Sequence, residues 1–167
     1  MLGRLRLPEP WQSTVVCSLA LIDTLSEEIR ACERDLAQLG ADHAYVSRLV
    51  SCPGVGWVLA YTIASEIGDI GRFQSPRKLI GYTGLCPRVD QSGERDRRGA
   101  LRKNGPTHLR WALIEAAHVA VRCHPPYQDL ADRMRNRHGR KRGSNIAAIE
   151  IGRRMTHHHY LTHGPPS

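Results

Sequence analysis

From Val15 to Leu39 apolar residues recur at heptad spacing, with Val15, Ile22, Ile29 and Leu36 at one position and Ser18, Leu25, Cys32 and Leu39 at the other. Such a stripe demands a single helix of three to four heptads that stops at Gly40. A two-position seam suits a helix zipped to a partner helix. A bundle helix packed within its own chain satisfies the pattern equally well, and a short helix over 42–51 could fold back to cover it. Ser13 or Thr14 is placed to cap the start, after a lead-in containing Pro8 and Pro10. Aromatic residues make up only 5% of the 167 positions while apolar residues make up 41%. The core must therefore come from Leu, Ile, Val and Ala, which suits packed helices better than a sandwich or barrel. The expected class is mainly α: a coiled-coil-like N-terminal helix within 1–44, then a compact helical domain over 45–160, then a frayed tail over 161–167. This length buries a core without disulfide or metal staples.

Further along, Leu49-Val50-Ser51-Cys52-Pro53-Gly54-Val55-Gly56 leads into an apolar stretch from Trp57 to Ile67. Helix, Pro-Gly-apolar-Gly, helix is the pattern of a helix-hairpin-helix. Gly54 and Gly56 permit unusual backbone angles and a close approach to a ligand, and the second helix offers free N–H groups to a phosphate. Plain helix punctuation is the competing explanation. Gly68, Gly71 and Pro76 then break the chain. A short helix is expected over 76–82 and a long irregular loop over 83–105. Helices follow over 106–123, 126–137 and 144–160, with a basic turn from Arg137 to Gly143. His157, His158 and His159 are expected on the surface, because three adjacent helical residues point in three directions.

Charge is distributed unevenly. Residues 1–83 hold 8 Lys/Arg against 9 Asp/Glu, whereas residues 84–167 hold 16 against 7, giving the net +8. The excess is mostly arginine, whose planar fork grips phosphate, so a polyanion such as nucleic acid is the natural partner. The 5 cysteines are scattered with no C-x-x-C pair, which argues for reduced thiols in a cytoplasmic protein. No apolar run reaches membrane-spanning length. No metal site is expected.

One segment concentrates chemistry. Ser92, followed by Gly93, sits among Arg88, Arg95, Arg97, Arg98, Arg102, Lys103 and Arg110. Phosphoryl transfer needs positive charge around the developing oxyanions, and arginines supply it. Serine needs activation by a base or a metal. Gln-Ser-Gly is also a serviceable turn with no chemistry.

The ordered motifs Pro53-Gly54-Val55-Gly56, Ile67-Gly68-Asp69-Ile70 with Arg72-Phe73, Gly81-Tyr82-Thr83-Gly84-Leu85-Cys86-Pro87, Gln91-Ser92-Gly93, Gly99, Lys103-x-Gly105 and Leu109-Arg110 resemble the transposase domain of the insertion-sequence-110 family (IS116/IS110/IS902 type). The resemblance covers roughly residues 45–160. It implies a DNA recombinase, in some members guided by an RNA. In the family, an N-terminal RuvC-like domain with acidic, magnesium-binding residues precedes a coiled coil and this C-terminal domain. The serine of the Ser-Gly motif attacks the DNA phosphodiester, a role that falls by position on Ser92. The coiled coil falls on residues 15–39 and implies a homo-oligomer.

The chain departs from the family in having no alternating strands with acidic ends before residue 45. The expectation is therefore a serine-nucleophile, DNA-binding C-terminal part of a transposase, inactive alone. Arg88, Arg98 and Arg110 are the first candidates for phosphate contacts. The alternatives are a non-catalytic basic helix-hairpin-helix protein that binds DNA or RNA, and an inactive remnant. Binding without chemistry and strand transfer separate at Ser92→Ala.

Overall fold

The computed structural model describes residues 8–40, 44–92, 95–101 and 104–163. The chain divides into two compact units, Met1–Leu39 and Gly40–Ser167. The first is built on α1 (Trp11–Gly40), a continuous helix of 30 residues. It starts earlier than a Ser13 or Thr14 cap would allow. Both hydroxyls donate to the Pro10 carbonyl, at 2.9 and 3.1 Å, and so lie inside the first turn. The heptad stripe stays largely in solvent: Ile22 and Ile29 are each 57% exposed, Leu25 59% and Leu39 73%.

The second unit packs six helices and one hairpin around an aliphatic core. α2 (Ala44–Val50) and α3 (Trp57–Ile67) are joined by a turn over 51–56. A 3₁₀ turn (Ile70–Arg72) follows, opened by Asp69, whose carboxylate accepts from the Gly71 N–H at 2.8 Å. α4 (Pro76–Tyr82) begins on proline, whose missing N–H costs nothing in a first turn. α5 (Thr107–Cys123), α6 (Pro125–His138) and α7 (Arg140–His163) complete the chain. Ile63, Ile67, Leu79, Leu85, Leu109 and Ile151 are fully buried.

Small residues set how closely these helices approach. The inner face of α5 carries Ala112, Ala116, Ala117 and Ala120, all completely buried. The turn before α3 rests directly on that face. A Cβ on Gly54 would lie 2.3 Å from the Ala116 carbonyl oxygen and 2.6 Å from the Ala120 nitrogen, and its φ of +82° is itself a glycine conformation. At the α6–α7 crossing Gly143 plays the same part, since a Cβ there would sit 2.4 Å from the Met134 carbonyl oxygen.

Three sequence expectations need correction. The segment over 83–105 is not an irregular loop. It contains β1 (Pro87–Ser92) and β2 (Arg95–Leu101), paired antiparallel. The basic stretch Arg137–Gly143 is not a turn either: the break is the single Gly139, at φ +80°, and α7 starts at Arg140. Finally, His159 is 3% exposed and meets Tyr45 edge-on at 5.2 Å, while His157 and His158 are on the surface. Helical periodicity explains the difference. His159 falls one turn after Met155 and Thr156, both buried, and two turns after Gly152 and Ile151. Burial in the same region pushes the Tyr45 phenol up to about 12 and raises the Cys52 thiol.

Gly54→Ala should destabilise the protein by about 2 kcal/mol or more, because it combines a strained φ with a backbone collision. Gly56→Ala should cost under about 1 kcal/mol, since Gly56 has an ordinary φ of −91° and a Cβ would meet nothing within 4 Å. Chemical denaturation of the two variants checks the contrast.

Candidate nucleic-acid interface

The hairpin that carries Ser92 is rich in charged residues, and a two-stranded ladder by itself is marginal in water. What positions it is its roots. Thr83 is completely buried at the end of α4; its hydroxyl donates to the Ile80 carbonyl at 2.7 Å and accepts from the Leu85 N–H at 3.3 Å. Gly84 then turns the chain at φ +72°, and Leu85 enters the core with no exposure. The Leu85 carbonyl accepts from Nε of Arg153, on α7, at 2.8 Å.

The returning root is held in a parallel way. Gly105 lies so close to the first root that a Cβ would be 2.1 Å from the Tyr82 carbonyl oxygen and 2.7 Å from the Gly84 nitrogen. Its own carbonyl accepts from a terminal guanidinium N–H of Arg110, on α5, at 3.3 Å. One arginine from each of two core helices thus fixes one root. Hydrogen bonds from charged donors contribute more than neutral ones, about 1.5–3 kcal/mol each when desolvated, so these two are substantial anchors.

From these roots the ladder extends outward at ~3.3 Å per residue, which sets Ser92 about 17 Å along β1 from Pro87. The register pairs Ser92 with Arg95, Gln91 with Asp96, Asp90 with Arg97 and Val89 with Arg98. Only two residues, Gly93 and Glu94, separate the paired Ser92 and Arg95. An irregularity in register falls between Pro87 and Val89, where Arg88 lies. Arg88, Arg95, Arg97 and Arg98 thus all lie on the two strands of the ladder that carries Ser92. Arg102 and Lys103 lie outside the described residues.

The remaining expected site residues are separated by this fold. Gly54 is spent on packing against α5, as described above. Gly56 is exposed at the start of α3, where no side chain caps the first-turn amides. Arg110 is half-buried and already donates to Gly105, so its structural role is evident whatever else it touches. Arg153 was not singled out from sequence. Its signal is weak, because an arginine beside another arginine on an amphipathic helix reads as surface charge. Among the described residues, no group of three His, Cys, Asp or Glu side chains is arranged to hold a metal ion. No described helix is long and apolar enough to cross a membrane.

Comparison with known proteins identifies a family for the chain. Residues 46–132 match the pattern described as the transposase IS116/IS110/IS902 family. A protein from Pseudomonas aeruginosa named "Probable family 20 transposase" is 30% identical over 130 residues, covering 78% of this chain and 38% of that protein. The transposase for insertion sequence element IS1328 from Yersinia enterocolitica is 34% identical over 95 residues, covering 57% and 28%. The pilin gene-inverting protein of Moraxella bovis is 33% identical over 105 residues, covering 62% and 32%. The chain thus spans less than two fifths of the length of each of these relatives.

Proposed function

Because the chain belongs to the transposase IS116/IS110/IS902 family, we propose that it is the DNA-handling, serine-bearing part of a strand transferase, with Ser92 as the nucleophile. The observation that carries this is the placement of Ser92 near the end of an arginine-rich hairpin, in register with Arg95 and rooted in the core by Arg110 and Arg153.

The chemistry is a transesterification. The Ser92 oxygen forms a bond to a DNA phosphorus, the bond from phosphorus to one deoxyribose oxygen breaks, and the freed DNA hydroxyl takes up a proton in place of the one the serine hydroxyl gives up. The phosphoserine bond conserves the energy of the phosphodiester, so a second DNA hydroxyl can reverse the step and join a new partner. Arg88, Arg95 and Arg97, on the strands that carry Ser92, are the candidates to meet the negative charge that grows on the equatorial oxygens. The uncapped start of α3 at Gly56 offers a further contact to the sugar-phosphate backbone, in the manner of a helix-hairpin-helix.

Magnesium, when bound, would polarise the phosphate and help activate the hydroxyl. The described residues do not form a site for it. We assign its carboxylate ligands to a RuvC-like partner domain, and derive no step through the metal from this chain. The DNA substrate places such a protein in the cytoplasm, and a guide RNA is a compatible additional partner.

The exposed stripe on α1 fits a second copy of the chain, because Ile22, Leu25 and Ile29 keep the spacing of a two-stranded seam while remaining in solvent. Ile22→Asp with Ile29→Asp should reduce the sedimentation mass of a dimer to that of a monomer. An unchanged mass, or a wild-type monomer, would remove the seam.

The nucleophile is tested by strand transfer with a RuvC-like domain supplied. Ser92→Ala should lower joined product by about 10³-fold or more while leaving DNA affinity within about twofold. Joining at the wild-type rate would rule Ser92 out.

A further inference from the structure

Arg72 stands apart from the hairpin arginines and is held in an unusual way. Its guanidinium carbon lies 4.6 Å from the centre of the Phe73 ring and 4.7 Å from that of Tyr82. The two rings are themselves 5.2 Å apart and tilted by 53°, so together they form a platform. That platform is fixed. The Phe73 carbonyl accepts from the Tyr160 hydroxyl at 2.7 Å, and the Tyr82 hydroxyl donates to the Glu66 carbonyl at 3.2 Å. Arg72 remains exposed, makes no side-chain hydrogen bond, and has no described carboxylate within ion-pair distance. Arg135, Arg153 and Arg154, in contrast, each pair with Asp132 or Glu150.

Around this cation runs an open groove of ≈ 480 Å³, lined by Arg72, Phe73, Gln74, Lys78, Gly81 and Tyr82. No carboxylate lines it. Lys78 adds a second unpaired cation from the first turns of α4, and Gln74 adds a neutral donor. Gly81 belongs to the same picture. It lies in a helix, where glycine is unfavourable, yet a Cβ there would meet nothing within 4 Å, so packing does not require it. Its missing side chain keeps the floor of the groove open.

We propose that this groove is a phosphodiester subsite of DNA, one that rests on the function proposed above and extends it beyond the hairpin. A guanidinium already stacked on two locked rings has lost its side-chain entropy before a ligand arrives. All its N–H donors remain available, and paired N–H groups match two oxygens of one phosphate. Lys78 suits the next phosphate as a point charge. Tyr82, which lines the groove, immediately precedes the buried Thr83 at which the first hairpin root begins, so the groove adjoins the base of the hairpin. The contact reads no bases, and it fixes register and orientation.

The test uses the full chain and fluorescein-labelled 20-nucleotide probes of mixed sequence: duplex DNA, single-stranded DNA and single-stranded RNA. Affinity is titrated from low to moderate salt for the wild type, Arg72→Gln, Lys78→Gln, Gly81→Glu and Arg34→Gln. Arg34 is exposed on α1 and is not among the residues lining the groove, and its variant makes the same charge change. Arg72→Gln and Lys78→Gln should each weaken duplex binding by about 5- to 10-fold. Each should also lower the slope of log K against log salt by ~0.9 on duplex or ~0.7 on single strands. Gly81→Glu should weaken binding at least as much without touching the platform, which keeps the test intact if Arg72→Gln fails to fold. Losses confined to RNA would keep the phosphodiester subsite and assign it to RNA. Losses no greater than that of Arg34→Gln overturn the subsite, even while the wild-type chain binds DNA. A wild-type chain that binds none of the probes overturns the parent function as well.

Discussion

Two backbone carbonyls, Leu85 and Gly105, are each occupied by an arginine from a core helix, and these bonds flank the two strands Pro87–Ser92 and Arg95–Leu101. The hairpin is a two-stranded ladder, a unit that is marginal on its own in water. It is positioned from below, by Leu85 sunk in the core, by the Thr83 hydroxyl bridging α4 to the turn, and by the backbone contact at Gly105. A two-stranded ladder keeps its place only if its base is fixed by other means. The two guanidinium groups provide this, and each also satisfies a carbonyl that would otherwise lose its water on burial.

The same division between a rigid small-residue core and a charged outer surface explains the composition. Alanines on α5 let the turn at Gly54 touch its backbone, and Gly143 lets α7 cross α6 closely. A core of this kind needs little aromatic volume. The few aromatic side chains are used instead where a ring face matters, as beneath Arg72, or where a hydroxyl ties distant segments together, as Tyr160 does to Phe73. The basic surplus after residue 83 is then divided by role. Arg110 and Arg153 hold structure, while the hairpin arginines are the ones proposed above to meet a polyanion.

Much of this was legible in the sequence. The heptad run gave α1 to its end at Gly40, and Pro-rich or Gly-rich punctuation located α3, α4, α5 and α6 within a residue or two. The hairpin was not legible, because strand detection relies on apolar residues alternating with polar ones, and Pro-Arg-Val-Asp-Gln-Ser facing Arg-Asp-Arg-Arg-Gly-Ala-Leu offers none. The early start of α7 was hidden by a run of basic residues that imitates a turn. Gly54 was read as a ligand contact from its pattern, whereas the tertiary contact with α5 is visible only in three dimensions. Arg72 was read only as part of a motif with Phe73, and Arg153 was not singled out at all. Local pattern says nothing about a platform completed by Tyr82 or a carbonyl 68 positions away.

The most direct measurement of the central claim is the identity of the residue that becomes joined to DNA. Trypsin cleaves after Arg88 and Arg95, and the fragment Val89–Arg95 contains Ser92 as its sole hydroxyl side chain. Reaction with a nicked substrate that traps the joined state, in the presence of a RuvC-like domain, followed by nuclease trimming and mass spectrometry, reports on that fragment. The account predicts that Val89–Arg95 carries the mass of a residual nucleotide. Nucleotide on a different peptide, or strand joining with this fragment unmodified at every time point, would contradict it.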